Sequence, residues 1–291
     1  MAVVLQDIHP DADRIISEFI DLALREDIGE GDHTSKACIS ADARSNAHLL
    51  VKDVGVIAGI QLAEKILKTV DPDCTFVPLL KDGDAIRYGD VAFDLECNTQ
   101  ALLRAERVCL NMMQRMSGIA SLSNRYLFEV EDLPVKILDT RKTTPGIRFF
   151  EKWAVNLGGC FNYRFGLYDW IMVKDNHIDA CGGIPQAIER VHAYLKDQNL
   201  ERNITIEVRN LVELHQVLEV GGVTRIMLDN FEIPILREAV ATIDNRFETE
   251  ASGGINIHTV RKYAQTGVDF ISIGALTHSA TSLDLSLKIV K

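Results

Sequence analysis

The sequence predicts an α/β protein built on an open, incomplete β/α barrel of about six strands, which follows an α+β N-terminal part. After about residue 134, short apolar runs alternate with helical stretches, a pattern typical of βα units repeated around a parallel sheet. Before that point strands and helices are mixed. A chain of 291 residues suits one large domain or two unequal ones.

The N-terminal part is predicted to contain both helices and strands. Residues 11–25 carry a helical stripe of apolar side chains, and a further helix is expected over 60–70. A long helical pattern runs from Thr99 to Phe128 and is expected to link two domains. Strand-like segments lie at 47–51, 74–79 and 91–95.

Six apolar runs form the predicted parallel strands, fewer than a closed barrel of this kind has. Helical segments lie between them, so an open barrel is expected. The runs are Val135–Asp139, Ile171–Lys174, Ile204–Val208, Arg225–Asp229, Glu248–Ser252 and Phe270–Gly274.

Composition and charge exclude several classes of function. The net charge of −11 argues against nucleic acid as a partner, because phosphate backbones need a basic face. The apolar runs are strand-sized and the N-terminus has no signal-peptide pattern, so we expect a cytoplasmic protein without membrane partners. The six cysteines lack CxxC spacing, which favours reduced thiols over disulfides or a zinc site.

The carboxyl end of every predicted strand carries charged residues or glycine. Ligand sites of parallel sheets lie at these ends. One such residue is explained by a solvated strand end, but six meeting around one pocket would cost desolvation energy unless a ligand is bound there. The ends are Asp139–Lys142, Lys174–His177, Glu207, Asp229–Asn230, Ser252–Gly254 and Gly274.

Four of the strand-end and loop residues are cations, namely Arg141, Lys142, Arg164 and Lys174. Guanidinium groups bind carboxylate or phosphate in a two-pronged fashion, and lysine adds a movable charge. Two alternatives remain open at this stage. Arg164 could form a surface ion pair with Asp169, and Lys174 could be a Schiff-base lysine on a barrel strand.

Two carboxylates, Glu207 and Asp229, end consecutive strands. This arrangement suits magnesium, held through oxygen ligands and water, or a ribose diol. Charge balance for the cations is the alternative.

Glycines end the last two strands, in Ser252–Gly254 and at Gly274. They allow backbone N–H groups to approach a phosphate at a helix N-terminus, and barrels commonly place a phosphate after their last strands. A simple turn explains one Gly-Gly pair, but two glycine ends favour the phosphate site. For His177, close to a strand end, we expect structural hydrogen bonding.

Motifs along nearly the whole chain, in order, resemble those of the quinolinate phosphoribosyltransferase family. Their joint order makes the resemblance specific. The motifs are Glu26–Thr34, Leu103–Val108, Asn111–Ala120, Asp139–Gly146, Gly166–Asp169, Lys174–His177, Leu228–Asn230 and Glu250–Ile255.

The resemblance implies a fold, a reaction and a partner. The fold is an N-terminal α/β sandwich domain over 1–116 and an open β/α barrel catalytic domain over 117–279, with a C-terminal helix over 280–291 packing back on the sandwich. The reaction converts quinolinate and phosphoribosyl diphosphate to nicotinate mononucleotide, diphosphate and CO2, with Mg2+, in de novo NAD biosynthesis. The subunits form homodimers with shared active sites, in which Arg107 reaches into the partner's barrel.

The resemblance also implies a role for each matching residue. Arg107, Arg141, Lys142 and Arg164 grip the quinolinate carboxylates. Lys142 and Lys174 meet the diphosphate, while Glu207 and Asp229 hold the ribose hydroxyls and magnesium. Ser252, Gly253, Gly254, Gly274 and His278 take the 5′-phosphate. The catalytic set is Lys142, Lys174, Glu207 and Asp229.

The chain departs from the family pattern at two positions. Tyr163 stands where the family often has histidine, and it is expected to donate a hydrogen bond to substrate but cannot become a cation at neutral pH. Asn156 stands where a basic residue is expected.

Three other functions stay open from the residues. A nicotinate or nicotinamide phosphoribosyltransferase would use similar phosphate chemistry without decarboxylation, although a monocarboxylate needs fewer cations. A Schiff-base aldolase would use Lys174 as its nucleophile. A phosphate-binding relative would bind phosphoribosyl diphosphate without turnover.

Overall fold

The computed structural model describes residues 3–290, and the chain divides into two compact units. The first unit comprises the chain up to Asn124, residues 143–159 and the chain from Leu276 onward. The second comprises residues 125–142 and 160–275. The segment 143–159, expected within the barrel domain, thus groups with the first unit. None of the helices in residues 3–290 is long and apolar enough to cross a membrane.

The first unit is built on a four-stranded sheet of order β12-β1-β5-β3, with β1 paired antiparallel to both neighbours. A two-stranded sheet pairs β2 with β4. The strands are β1 (Arg44–Val51), β2 (Gly55–Val56), β3 (Thr75–Pro78), β4 (Ala85–Ile86), β5 (Val91–Asn98) and β12 (Leu285–Val290). The helices are α1 (Leu5–Ile8), α2 (Ala12–Ile28), α3 (His33–Cys38), α4 (Ile60–Val70), α5 (Thr99–Phe128), α6 (Arg148–Leu157) and α12 (Ala275–His278).

The C-terminal segment is a strand, so the helix expected over 280–291 is wrong. In β12, Leu285 pairs with Val51 and Leu287 with Leu49 of β1. Leucine and isoleucine occupy alternate positions from Leu283 to Ile289, a period of two that favours a strand over a helix. The segment packs on the N-terminal sheet as an added strand.

The second unit holds a six-stranded parallel sheet of order β6-β11-β10-β9-β8-β7. The strands are β6 (Lys136–Leu138), β7 (Ile171–Val173), β8 (Ile204–Val208), β9 (Arg225–Asp229), β10 (Glu248–Ser252) and β11 (Phe270–Ser272). The helices between them are α7 (Asp175–Cys181), α8 (Ile184–Asp197), α9 (Leu211–Val220), α10 (Ile233–Ile243) and α11 (Val260–Ala264).

This sheet confirms the predicted open, six-stranded β/α architecture. β6 and β7 are its two edges, and in residues 3–290 no ladder joins them. An isolated bridge adds Phe161 beside Leu138 at the β6 edge. Because all six strands run the same way, their carboxyl ends lie along one side of the sheet, where ligands bind in such folds.

Candidate active site

A buried acid and a half-exposed lysine meet at the carboxyl ends of β7 and β8. The Nζ of Lys174 lies 2.6 Å from Oε2 of Glu207, whose side chain is only 8% exposed. A carboxylate this buried needs a charged or hydrogen-bonding partner, and the ammonium group supplies both. An ammonium held in such an ion pair is a poor nucleophile, which disfavours the Schiff-base alternative for Lys174.

The backbone of Lys174 is fixed by His177. The Lys174 N–H donates to Nδ1 of His177 at 3.0 Å, at the start of α7. This contact confirms the structural hydrogen bond expected for His177. It keeps the backbone of Lys174 in place at the strand end.

Two guanidinium groups, those of Arg141 and Arg164, lie near each other at this side of the sheet. Burial and then the charge of Arg141 lower the pKa of Arg164. The charges of Asp169 and Glu250 act in the opposite direction on the pKa of Arg164, and the Asp169 carboxylate also accepts the backbone N–H groups of Phe165 and Gly166. Two neighbouring guanidinium groups are suited to binding an anionic ligand.

Asp139 holds the segment that carries Arg164. Its side chain is fully buried and accepts hydrogen bonds from Asn162 Nδ2 at 2.7 Å and from the Tyr163 N–H at 2.8 Å. The backbone on both sides of Arg164 is therefore fixed, by Asp139 before it and by Asp169 after it.

The side chain of Tyr163 is directed into the interior of the second unit. Its hydroxyl lies 2.6 Å from Oγ1 of Thr205, which also accepts a hydrogen bond from Trp170 Nε1 at 2.9 Å. Burial and the charge of Glu250 raise the pKa of Tyr163. The hydroxyl that was expected to meet a substrate carboxylate is thus bonded within the protein.

A buried charge cluster surrounds this tyrosine, and the sequence analysis did not identify it. The guanidinium of Arg225 lies 5.1 Å from the Tyr163 ring centroid and 3.7 Å from that of Phe270. Arg225 pairs with Glu250 at 3.2 Å, and Glu250 accepts a hydrogen bond from Ser272. The available signal was charge at strand positions away from the carboxyl ends, with Arg225 at the start of β9 and Glu250 in the middle of β10.

The strand ends of β9 and β10 lie side by side, with Asp229 paired to Ser252 in the parallel register. Gly253 and Gly254 follow with φ values of +98° and +61°, a left-handed backbone that favours glycine. These residues allow close backbone approach to a phosphate, as expected for this loop. Gly274 follows β11 in the same sheet.

Two carboxylates, Glu207 and Asp229, lie at the carboxyl ends of the neighbouring strands β8 and β9. In residues 3–290 no group of three or more His, Cys, Asp and Glu side chains could hold a metal. Mg2+ commonly binds one or two carboxylates and completes its shell with water and substrate phosphates. Glu207 and Asp229 can supply that pair of carboxylates.

Three predicted site residues are exposed where they lie. Lys142 follows Arg141, and its N–H donates to Oγ1 of Thr140 at 3.0 Å. Arg107 lies on α5 and His278 ends α12, both in the first unit. Their roles toward substrate stay predictions. Asn156, which departs from the expected basic residue, lies in α6 of the first unit.

Glu151 is a buried acid in the first unit that the sequence analysis also missed. It accepts hydrogen bonds from the N–H and Oγ1 of Thr144, at 3.0 and 2.8 Å. Arg115 donates to Glu151 and also to the backbone oxygens of Thr277 and Ala280. One ion pair thus orders the residues after Lys142 and those around His278. A glutamate inside a helix gave no sequence signal of this role.

The fold and site define a class: an α/β protein whose parallel strand ends carry cations, two carboxylates and a glycine turn, an arrangement suited to an anionic substrate. Two family models match almost the entire chain. Residues 32–117 match the quinolinate phosphoribosyl transferase N-terminal domain and residues 119–288 match its C-terminal domain. The chain belongs to the quinolinate phosphoribosyltransferase family.

Known relatives agree with this membership over most of their lengths. Quinolinate phosphoribosyltransferase [decarboxylating] 1b of Nicotiana tabacum is 46% identical, across 99% of this chain and 85% of the relative. The chloroplastic nicotinate-nucleotide pyrophosphorylase [carboxylating] of Arabidopsis thaliana is also 46% identical, across 97% and 84%. The crystal structure of NadC from Streptococcus pyogenes superposes with a TM-score of 0.89 at 37% identity, covering 95% of this chain and 97% of that one.

Proposed function

We propose that the protein transfers the phosphoribosyl group of phosphoribosyl diphosphate to quinolinate, with release of diphosphate and CO2. The product is nicotinate mononucleotide, and the reaction is a step of de novo NAD biosynthesis. The observation that carries the proposal is the Lys174–Glu207 ion pair at the carboxyl ends of β7 and β8, to which Arg141 and Arg164 add positive charge on the same side of the sheet. The names of the relatives support the same reaction.

The cations bind the dicarboxylate in this proposal. Arg141 and Arg164 grip the two carboxylates of quinolinate, since planar guanidinium groups match planar carboxylates. Lys142 and Lys174 contribute charge to the quinolinate and diphosphate side. A monocarboxylate such as nicotinate would leave part of this positive charge without a partner, which favours quinolinate over nicotinate.

The carboxylates and the glycine turn bind the sugar phosphate. Glu207 and Asp229 accept hydrogen bonds from the ribose hydroxyls, and they would hold Mg2+, which supplies positive charge to the departing diphosphate when bound. Ser252, Gly253, Gly254 and Gly274 take the 5′-phosphate through backbone N–H groups, with His278.

Chemistry begins when the ring nitrogen of quinolinate attacks the anomeric carbon. A C–N bond forms, the C–O bond to diphosphate breaks, and diphosphate keeps the electron pair. Glu207 and Asp229 offset the positive charge that develops on the ribose. The ring nitrogen is then cationic, so the bond to the adjacent carboxylate breaks with loss of CO2, and its electron pair stays on the ring carbon until a proton from water adds there. The residues chiefly position the reactants.

We further propose a homodimer with shared active sites, to which Arg107 of the partner subunit contributes. Arg107 is exposed on α5, which supports its availability to a second copy. A cytoplasmic location is proposed for this chain, whereas the Arabidopsis relative is named chloroplastic.

Product analysis tests the reaction. The protein is mixed with quinolinate, phosphoribosyl diphosphate and Mg2+, and the nucleotide, diphosphate and CO2 are quantified. Equal amounts of nicotinate mononucleotide, diphosphate and CO2 are expected. Turnover of nicotinate but not quinolinate would overturn the dicarboxylate assignment, and turnover of neither would leave a phosphate-binding protein as the better description.

A further inference from the structure

Asn230, directly after Asp229, has an unusual backbone for its place in the fold. Its φ is +57°, in the left-handed region that costs energy for residues with a side chain. Of residues 3–290, three others that are not glycine share this conformation, and they follow helices: Asn199 after α8, and Asp244 and Asn245 after α10. A left-handed residue at a helix end is ordinary, but Asn230 follows a strand.

The left-handed turn allows Asn230 to make three contacts at once. Its Nδ2 donates to Oδ2 of Asp229 at 2.6 Å, and its N–H donates to the backbone oxygen of Ser252 at 2.9 Å. Its Oδ1 lies against Gly253, where an added Cβ would come within 2.2 Å of that oxygen. One residue therefore contacts both the acid at the end of β9 and the glycine turn at the end of β10.

These contacts restrict the Asp229 carboxylate. A short side chain at a strand end can rotate, but the amide of Asn230 holds one of its oxygens, Oδ2, with a charge-assisted hydrogen bond. The other oxygen, Oδ1, is then presented in one orientation. The hydrogen bond from the Asn230 N–H to Ser252 fixes that orientation relative to the glycine turn, because Ser252 precedes Gly253 and is the register partner of Asp229.

We infer that Asn230 is a positioning residue for phosphoribosyl diphosphate. Asn230 orients the Asp229 carboxylate toward the ribose hydroxyls and, at the same time, holds the Gly253–Gly254 turn in place for the 5′-phosphate. This inference rests on the proposed function. It assigns Asn230 to one of the two substrates only, since quinolinate is bound by the arginine pair.

Two replacements separate the contributions of Asn230. Asn230→Gly keeps the left-handed backbone, which glycine adopts without strain, and removes the amide. Asn230→Asp keeps the size and places a second carboxylate against Asp229. The matched control is Asn199→Gly. Asn199 also has a left-handed backbone, and its replacement by glycine increases the flexibility of the unfolded chain as much as Asn230→Gly does.

The measurements are the dissociation constant of phosphoribosyl diphosphate by calorimetry with Mg2+, the kcat/KM for both substrates, and the melting temperature. We expect Asn230→Gly to weaken phosphoribosyl diphosphate binding about tenfold, as removal of a hydrogen bond to a charged group does. The KM of quinolinate at saturating phosphoribosyl diphosphate should stay within about twofold, and Asn230→Asp should lose about a hundredfold in kcat/KM. The Asn199→Gly protein should match the wild type in all kinetic values and share the melting temperature of Asn230→Gly.

Several results would overturn this inference. Wild-type binding of phosphoribosyl diphosphate by Asn230→Gly would show that the amide positions nothing. Equal weakening for both substrates, or a melting temperature well below that of Asn199→Gly, would indicate a purely structural role. A wild type that binds no phosphoribosyl diphosphate would overturn the proposed function as well, so the two failures are distinguishable.

Discussion

The neighbouring cations Arg141 and Arg164 show that residues suited to binding an anion can lower the stability of the folded protein. Arg164 is partly buried beside a like charge, and both effects lower its pKa, so its charged form is held at some cost to the folded state. The charges of Asp169 and Glu250 offset part of that cost, and a bound anion would offset more of it. Function and stability should therefore respond in different directions to its removal.

We predict that Arg164→Gln lowers kcat/KM for quinolinate by about a hundredfold, because a two-pronged bond to a carboxylate is lost. Its free energy of unfolding should stay equal to that of wild type or rise, since a like-charge contact is removed. Kinetics and urea unfolding measure the two effects. Arg237→Gln, a loss of the same charge on the exposed face of α10, is the control. A variant that loses stability but keeps its quinolinate kinetics would contradict the assignment.

Tyr163 presents the opposite case, a predicted ligand whose hydroxyl is engaged inside the protein. We predict that Tyr163→Phe destabilises the fold by about 1 kcal/mol, because the bond to Thr205 is lost in a buried setting. The kcat/KM for quinolinate should change less than about threefold, a far smaller effect than loss of a charged contact. Denaturant unfolding and steady-state kinetics give both values. A large kinetic loss at unchanged stability would restore the role in substrate binding that its position in the motif suggested.

The sequence predicted some residue contacts well and others not at all. Lys174 and Glu207 were both expected at the site because neighbouring parallel strands end side by side, and they form an ion pair. The direction of Tyr163 could not be predicted, since it depends on the bridge between Phe161 and Leu138 at an irregular edge. Asn230 was noted only as a strand end, because asparagine tolerates a left-handed backbone but its residue type does not fix which asparagine adopts one.

At the scale of elements, the C-terminal strand β12 completes the N-terminal sheet. Leu285 is 2% exposed and pairs with Val51, whereas Ile289 is 47% exposed and pairs with Ala47. We predict that Leu285→Ala lowers the free energy of unfolding by roughly 2 to 4 kcal/mol, through lost burial and a cavity.

The same truncation at Ile289 is the matched control and should cost less than about 1 kcal/mol, because that side chain remains largely in water. Chemical unfolding of both variants gives the comparison. Equal costs at the two positions would contradict a strand whose first residue is buried and whose last residues lie in water.

Element prediction succeeded where the apolar pattern was long or bounded by clear turns. The strands β8, β9 and β10 and the helices α4 and α5 have the predicted bounds. For the C-terminal segment the family resemblance implied a helix, whereas Leu283, Leu285 and Leu287 stand at alternate positions and the segment is a strand. Local periodicity carried the correct information there.

At the scale of the whole molecule, the open parallel sheet could be predicted from the alternation of strand and helix patterns. The family membership could be predicted from motifs that occur in order along the chain. The grouping of residues 143–159 with the first unit did not follow. That grouping depends on contacts such as the ion pair of Glu151 with Arg115, which joins residues distant in sequence.

The proposed shared site makes a prediction about assembly. An Arg107→Ala protein and a Lys174→Ala protein should each be nearly inactive. After subunit exchange in an equal mixture, half of the dimers should be mixed and each should contain one intact site, so activity should return to about a quarter of wild type. Activity measured before and after exchange tests this. No recovery despite demonstrated exchange would place Arg107 in the site of its own subunit or outside any site.

The central claim is that phosphoribosyl transfer to quinolinate precedes and enables loss of its carboxylate. The most direct measurement uses quinolinate labelled with carbon-13 in the carboxylate next to the ring nitrogen, with Mg2+ and with or without phosphoribosyl diphosphate. We expect one labelled CO2 for each diphosphate formed, no release without phosphoribosyl diphosphate, and neither product from an Arg141→Ala protein. Label retained in the nucleotide, or CO2 released in the absence of phosphoribosyl diphosphate, would contradict it.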